Sequence, residues 1–229
     1  MRPVIFDPNV PTPSLPLWPR VVFVDWDGVL CQDVFWSSIR NNPQHPLHGQ
    51  LSAACKGLFS RDHVTLQSWM RGSIDDSDVI RSLHVCLGRK YRPDFLLRRL
   101  RRDCSRMKSD VRVGEVLRRA GQHSFVVLAT DNMDCFVESV TELEGIDAVL
   151  CSSVLGVLKS ESCERFFGTW LRSHRLSFSD ALLLDDSAAN CAAFRNCGGT
   201  SILFHDSAEV EGPLMAWAET ASGVPGGRR

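Results

Sequence analysis

Five short apolar runs, separated by helical segments, constrain the fold of this 229-residue sequence more than any other feature. The first run, at residues 21–24, is β-branched in three of its four residues, which is typical of a central parallel strand covered on both faces. The other runs lie at 124–129, 147–151, 181–184 and 201–204. Helical periodicity is found at 134–143, 160–172, 188–196 and 209–220. This alternation predicts an α/β fold with a Rossmann-like parallel sheet and right-handed crossovers.

One long stretch interrupts the alternation. Between residues 31 and 110 there is no strand-like run, and four helical patterns occupy 51–59, 64–70, 77–87 and 94–107. Gly72 is expected to end one of these helices, and Asp75 with Asp78 to cap the next. We therefore predict four parts, which are a proline-rich N-terminal extension at 1–19, a core at 20–30 and 111–220, a helical cap insert at 31–110, and a flexible tail at 221–229.

Composition excludes several functional classes. The 26 Lys and Arg residues nearly balance the 27 Asp and Glu residues, so there is no overall basic field to hold nucleic acid or an anionic membrane. No apolar run has the length of a membrane span, and the N-terminus lacks the apolar segment of a signal peptide. The nine cysteines are odd in number and form no CxxC pair, which favours reduced thiols in a cytoplasmic protein.

A basic segment at residues 89–108 contains nine Lys or Arg against two Asp. It is either a patch that steers an anionic substrate or the solvated face of a cap helix. The second interpretation is favoured because Phe95, Leu96, Leu97 and Leu100 would form the apolar side of such a helix.

The residues that follow the apolar runs have the chemistry of a reactive site. In an open parallel sheet they converge at the carboxyl ends of the strands. They are Asp25, Asp27, Thr130, Asp131, Lys159, Asp185 and Asp186. Crowded carboxylates repel one another, and a hard dication such as Mg²⁺ relieves this repulsion. A metal ion and a lysine that neutralise a dianion, a hydroxyl that binds its oxygens and an aspartate that attacks phosphorus together make a phosphoryl-transfer site.

The same segments carry a family resemblance. They are VVFVDWDGVL (21–30), FVVLATDN (125–132), LGVLKS (155–160) and LLLDDSAANCAAFRNCGG (182–199). In motif order and spacing the chain resembles the haloacid dehalogenase-like (HAD) superfamily of phosphatases and phosphotransferases. Within the insert, WMRGSIDDSDVIRSL (69–83) resembles the helical C1 cap of the β-phosphoglucomutase-like and epoxide-hydrolase-like branches. Such a cap closes over the site and supplies substrate specificity.

The resemblance implies a role for each residue of the first three motifs. Asp25 would be the nucleophile that forms an aspartyl-phosphate, and it would also bind Mg²⁺. Asp27 would protonate the leaving group and then deprotonate the attacking water, and its backbone carbonyl would bind the metal. Thr130, the amide of Asp131 and Lys159 would hold the phosphoryl oxygens, with Lys159 also stabilising the nucleophile.

The fourth motif would complete the metal site. Asp186 would bind the metal directly and Asp185 directly or through water, while Asn190 would orient their loop. Family members that cleave carbon–halogen bonds lack an acid/base aspartate two residues after the nucleophile. The presence of Asp27 therefore favours phosphate esters over haloacids as substrates.

These observations predict a cytoplasmic, Mg²⁺-dependent phosphatase that acts on a small phosphorylated metabolite, without a nucleic-acid or membrane partner. One alternative is a phosphosugar mutase that uses the same aspartyl-phosphate. Another, of a different class, is a binding or regulatory protein on the same scaffold.

Overall fold

The computed structural model describes residues 19–88, 91–139 and 143–205. Five strands form one parallel sheet in the order β3-β2-β1-β4-β5. Their bounds are β1 Val21–Val24, β2 Phe125–Thr130, β3 Ala148–Cys151, β4 Ala181–Asp185 and β5 Thr200–Leu203. Each predicted apolar run is therefore a strand, and the α/β parallel-sheet class is confirmed. The predicted helix at 209–220, residues 1–18 of the predicted extension and the predicted tail lie outside the described residues.

The alternation of side chains along β1 explains why the sheet is covered on both faces. Val22 and Val24 point to one face, where they pack with residues of the helix at 111–120. Val21 and Phe23 point to the other face, where they pack against aromatic side chains such as Phe167. All four residues of β1 are buried, as expected for the central strand of a parallel sheet.

Six of the described helices lie between β1 and β2 in the chain, and the first five form one group. These five are α1 Ser37–Arg40, α2 His48–Ser60, α3 His63–Met70, α4 Asp76–Cys86 and α5 Pro93–Cys104. They share one hydrophobic core that is separate from the cores on the two faces of the sheet. We call this group the helical cluster α1–α5. The short helix α1 has no counterpart among the sequence-predicted helices, because four residues are too few to show a period.

The remaining helices cover the sheet. They are α6 Val111–Ala120, α7 Asp134–Ser139, α8 Ser152–Leu155, α9 Thr169–Ser173 and α10 Ala188–Asn196. The predicted helix at 160–172 is wrong in its start. Residues 160–162 form a turn, and a π-helical turn at Glu164–Gly168 precedes α9. Helix α6 was not predicted as a separate element.

Two sequence signals in the helical cluster are confirmed. Asp75 and Asp78 form a reciprocal capping box at the start of α4. Gly72 follows α3 with a φ of +67°, and a Cβ there would lie 2.4 Å from the backbone oxygen of Ser153. Only glycine fits this approach, which brings the end of α3 against α8 of the sheet core. Ser152 Oγ donates to Met70 O at 2.6 Å across the same contact.

The basic segment is a helix with one apolar side in the part that the structure describes. Leu96 and Leu100 of α5 are buried, while Arg98, Arg99 and Arg102 are at least partly exposed. Arg89 and Lys90 lie outside the described residues. All nine cysteines are free thiols. None of the described helices combines the length and apolar character needed to cross a membrane.

Candidate active site

The register of the three central strands places their carboxyl ends at the same level. Val24, the last residue of β1, is paired with Leu128 of β2 and with Leu184 of β4. Asp25 comes next, and its N–H donates to Leu184 O at 2.9 Å. Thr130 closes β2 and Asp185 closes β4. The chemistry-bearing groups of three motifs therefore meet at one edge of the sheet.

Lys159 reaches this edge from the loop after β3. Its Nζ donates to Asp185 Oδ2 at 2.6 Å and to Ala129 O at 3.1 Å, and it lies 2.8 Å from Asp25 Oδ2. The side chain is buried. Burial alone lowers the pKa of Lys159, but Asp25, Asp185 and Asp131 raise it by more, so the net pKa lies above its ordinary value. The lysine is therefore a charged ammonium that ties two strand ends together.

Asp25 is held on both of its oxygens. Oδ1 accepts from the N–H of Trp26 at 2.7 Å, and Oδ2 faces Lys159. Burial raises the pKa of Asp25, and repulsion by Asp185 and Asp27 adds to this, while Lys159 opposes it. Without a bound cation this carboxylate carries an unfavourable charge, so the site is suited to recruit positive charge.

Asp27 has a different environment from Asp25. Burial raises its pKa to about 6, with Lys159 opposing and Asp186 adding to the shift. Its Oδ2 accepts from Asn132 Nδ2 at 3.0 Å. A carboxyl group with a pKa near neutrality suits general acid and base chemistry. The two aspartates are thus set apart by their surroundings, one bound to a lysine and the other to an amide.

Asn132 is a site residue that the sequence analysis did not assign. It is buried, and its N–H donates to Ser152 Oγ at 3.0 Å, which fixes it against α8. Its position could have indicated a role in the site, because Asn132 lies two residues after the end of β2, next to Thr130 and Asp131. The amide that it directs at Asp27 was not deducible from the sequence because nothing in the pattern pairs these two loops.

Asp185 accepts several hydrogen bonds besides the one from Lys159. Ser187 N donates to Oδ1 at 2.8 Å, and Asn190 Nδ2 lies 3.1 Å from Oδ1 and 3.2 Å from Oδ2. Both oxygens of Asp185 are therefore engaged by protein donors. Its neighbour Asp186 is exposed. Of the two adjacent carboxylates, Asp186 is the one with oxygens open to a ligand.

Three carboxylates are close enough together to hold one cation. Ligand oxygens of Asp25, Asp185 and Asp186 all lie within 4.8 Å of one another. Hard, oxygen-only donors of this kind suit Mg²⁺, which keeps several waters and takes few protein carboxylates. Burial raises the pKa of Asp186, and repulsion by Asp185 adds to the shift. The residues present therefore fit a bound dication, which would relieve that repulsion.

Gly28 makes room for Asp186. Its φ is +78°, and a Cβ there would lie 2.2 Å from Asp186 Oδ2. We expect Gly28→Ala to displace the Asp186 carboxylate and to lower Mg²⁺ affinity by about 10-fold or more, since a ligand displaced from its position loses most of its bond. Titration calorimetry with Mg²⁺ measures this. Gly49→Ala is the matched control, because a Cβ at Gly49 meets no atom within 4 Å. Equal affinity in the two variants would contradict the expectation.

The two remaining residues of the second motif lie beside the same cluster. Thr130 is fully buried, with Oγ1 3.5 Å from Asn132 Nδ2. Asp131 Oδ1 accepts from the backbone N–H of Lys159 at 3.0 Å, so its side chain braces the lysine loop. Burial raises the pKa of Asp131, and the charge of Lys159 opposes the shift. All eight residues proposed from the sequence therefore lie at the same edge of the sheet, where the strands have their carboxyl ends.

Solved structures share this architecture. A HAD-like family hydrolase from Porphyromonas gingivalis matches with a TM-score of 0.64 and 14% identity, over 86% of this chain and 97% of that chain. A HAD family enzyme from Bacteroides thetaiotaomicron, in complex with magnesium and inorganic phosphate, matches with a TM-score of 0.58 and 11% identity over 83% and 98%. A 2-haloacid dehalogenase from Pseudomonas syringae matches with a TM-score of 0.57 and 14% identity over 86% and 99%.

No protein-family model and no curated protein sequence matches the chain. At 11–14% identity the structural matches establish the fold. The chain is an α/β protein with a Rossmann-like parallel sheet and helices inserted after the first strand. More specifically, it has the fold of the HAD enzymes, which the four sequence motifs predicted.

Proposed function

We propose that this protein is a Mg²⁺-dependent phosphatase of the HAD superfamily that hydrolyses a small phosphorylated metabolite through an aspartyl-phosphate. The observation that carries the proposal is the cluster at the ends of β1 and β4, where one buried ammonium lies between Asp25 and Asp185, with Asp186 beside them. This arrangement offers a nucleophile and two kinds of positive charge to a phosphate dianion.

The proposed reaction has two steps. Asp25 attacks phosphorus while Asp27, protonated, gives its proton to the leaving alcohol oxygen, so that the P–O ester bond breaks as the aspartyl P–O bond forms. Asp27, now a carboxylate, then removes a proton from a water molecule that attacks the same phosphorus and releases inorganic phosphate and Asp25. The Asn132 amide holds Asp27 in place for both proton transfers.

The positive charges act on the phosphoryl group. Lys159 stabilises the transferred phosphoryl oxygens, and the Thr130 hydroxyl and the Asp131 amide complete their binding. Mg²⁺ bound by Asp25, Asp186 and the backbone carbonyl of Asp27 supplies further charge neutralisation when present. We assign Asp185 and Asn190 to positioning, since both oxygens of Asp185 are already hydrogen-bonded to the protein.

Haloacid hydrolysis is the competing activity, because dehalogenases share the fold. Phosphate esters are favoured by Asp27, whose pKa of about 6 suits protonation of an alkoxide leaving group. A halide leaving group needs no proton, so such an acid would have no part in dehalogenation. The magnesium and inorganic phosphate bound by the Bacteroides enzyme agree with this preference.

The test is phosphate release from a broad panel of phosphate monoesters, with Mg²⁺ or with excess chelator. Halide release from 2-chloropropionate is measured in parallel, and Asp25→Asn reports any contaminating phosphatase. Release of phosphate that requires Mg²⁺ and is lost in the variant supports the proposal. Halide release without phosphate release would replace it by dehalogenation. Conversion of a sugar 1-phosphate to its 6-phosphate would make the protein a mutase, and no turnover of any compound would favour a binding protein.

Metal binding should depend on pH, since Mg²⁺ binds the deprotonated carboxylates of Asp25 and Asp186, and burial raises the pKa of both. The pKa of Asp27 is raised above its unfolded value, so the metal-free folded state holds a proton that the unfolded chain releases. The contribution of Asp27 to the stability of the metal-free protein therefore falls as pH rises from about 4 through 6. We expect the increase in Tm caused by 5 mM Mg²⁺ to be several degrees at pH 7.5 and much smaller at pH 5.0. Thermal unfolding at both pH values checks this.

Asp27→Asn is the matched variant for that measurement. Asparagine retains an oxygen that accepts from Asn132 but does not titrate, so metal-free stability should fall less between pH 4 and 6 than in the wild type. The same pH profile in both proteins would show that Asp27 does not carry the shift.

The division of the chain is part of the proposal. We assign 20–30 and 111–220 to the catalytic core and 31–110 to a C1-type cap that acts on specificity, with residues 1–19 and 221–229 outside both. The contact of Gly72 and Met70 with α8 supports a cap seated next to the site. A cytoplasmic location fits the nine free thiols.

A further inference from the structure

A cavity of about 660 Å³ opens from the candidate active site into the helical cluster α1–α5. Asp27 and Gly28 are among its lining residues, so it adjoins the acid of the proposed reaction. Its volume is within the range typical of small-molecule sites. A substrate whose phosphate lies against Asp25 would therefore place its leaving group in this space.

The walls contributed by α1, α2 and the segment before α1 combine apolar, polar and charged side chains. They include Phe35, Arg40, Ser52, Cys55, Lys56 and Phe59. Asp33, in the segment before α1, is a carboxylate of this lining, and its Oδ2 accepts from Lys108 N at 3.3 Å. The lining residues that belong to α1 and α2 include two cations and no carboxylate. Phe35 and Phe59 stack with ring centroids 5.9 Å apart and form an apolar side. The cavity thus has the carboxylates of Asp27 and Asp33 in one part of its lining. The parts from α1 and α2 add positive charge beside the aromatic rings.

The side chains of Arg40 and Lys56 both have N–H groups that are not used in hydrogen bonds to the described residues. Arg40 Nη1 donates to Phe35 O at 3.2 Å, and the guanidinium forms no other hydrogen bond or ion pair with the residues that the structure describes. Lys56 is exposed and forms none with those residues. Arg40 and Cys55 line the same cavity, and the charge of Arg40 partly opposes the burial that raises the pKa of the Cys55 thiol to about 11. A guanidinium with free donors that lines the same cavity as a lysine is suited to binding carboxylate or phosphate.

We propose that Arg40 and Lys56 bind a second anionic group of the substrate, so that the preferred substrates are phosphate monoesters that also carry a carboxylate or a second phosphate. This inference rests on the proposed function for the position of the first phosphate. It adds the chemical class of the leaving group. The stacked Phe35 and Phe59 rings line the space between the two anionic ends.

The test uses two pairs of compounds that differ in the second group. The first pair is 3-phosphoglycerate and glycerol 3-phosphate, which differ in a carboxylate, and the second is fructose 1,6-bisphosphate and fructose 6-phosphate, which differ in a phosphate. We expect kcat/KM to be about 10- to 100-fold higher for the doubly anionic member of at least one pair, as charge-assisted hydrogen bonds predict. The pair that shows the preference identifies which anion is bound.

The variants are Arg40→Gln and Lys56→Gln. Each should remove most of the preference, and Arg40→Lys, which retains the charge, should keep part of it. Lys56 is exposed, so its variant is expected to fold even if Arg40→Gln does not. Arg61→Gln is the matched control, because Arg61 follows the same helix α2 but does not line the cavity, and it should keep the wild-type preference. Equal rates within both pairs in the wild type would overturn the inference and leave the proposed function intact.

A binding measurement separates the two proposals if no compound is hydrolysed. Calorimetry of the four compounds with the Asp25→Asn protein in Mg²⁺ should show tighter binding of a doubly anionic member, lost with Arg40→Gln added. That result would retain the anion site while the phosphatase proposal fails. Equal binding within both pairs would overturn the anion site.

Discussion

Replacing Asp25 by asparagine is expected to lower the rate of Mg²⁺-dependent phosphate release by about 10⁴-fold or more, because an amide does not act as the nucleophile. The protein should nevertheless fold. Asparagine keeps an oxygen to accept from the N–H of Trp26, and Lys159 retains Asp185 and Ala129 O as partners. Steady-state kinetics and thermal unfolding of the same preparation measure the two effects.

The control for this prediction is Asp94→Asn. Asp94 is an exposed carboxylate on α5, paired with Arg92 at 3.6 Å, away from the sheet edge. Its replacement should leave the rate within about twofold of the wild type. A residual rate in Asp25→Asn above one-tenth of wild type would remove Asp25 from the role of nucleophile.

Replacing Lys159 by methionine should have the largest effect on stability. The change leaves Asp25 and Asp185 buried without the cation between them, and breaking a buried pair in this way costs about 3–5 kcal/mol in the free energy of unfolding. For a chain of this size the loss corresponds to roughly 6–20 °C in Tm. Phosphate release should also fall by about 10²- to 10³-fold, as expected when a group that stabilises transition-state charge is removed.

Two further variants test the cause of that loss. Adding Asp185→Asn to Lys159→Met removes one of the two uncompensated charges and should recover part of the Tm, as should Mg²⁺ added to the single variant. Arg118→Met is the control for removing a cation, because the side chains of Arg118 and its partner Glu115 are 52% and 42% exposed, and it should leave the Tm close to that of the wild type. A Lys159→Met protein as stable as the wild type in chelator would contradict the proposed electrostatic role.

The sequence predicted much of the fold because the strands are simple. Val21–Val24 and Ala181–Asp185 are short apolar runs buried on both faces, and such runs have few alternative structures. The start of the helix before α9 was wrong for a local reason. Residues 160–162 precede the periodic apolar residues and form a turn, since Glu161 accepts from the N–H of Leu158 and pairs with Arg71 at the end of α3.

The candidate site was predictable in its residue types and less so in its contacts. The order of strand ends and the spacing of Asp25, Lys159 and Asp186 indicated a carboxylate and lysine cluster, because parallel strands end at one edge. The amide of Asn132 and the saturation of Asp185 depend on how separate loops pack. The cationic wall of Arg40 and Lys56 depends on the packing of α1 against α2, which no periodicity in the sequence encodes.

The ammonium of Lys159 contacts three neighbouring strand ends at once, through Ala129 O, Asp25 and Asp185. We expect a substitution of Lys159 to reduce both the proposed activity and the stability of the fold. Either effect alone would select against the change. Arg40 and Lys56 stand on helices outside the sheet, and a change there alters neither strand pairing nor the reacting groups. Under the proposed function, the residues that set substrate preference could therefore change during evolution while the reacting groups stayed the same.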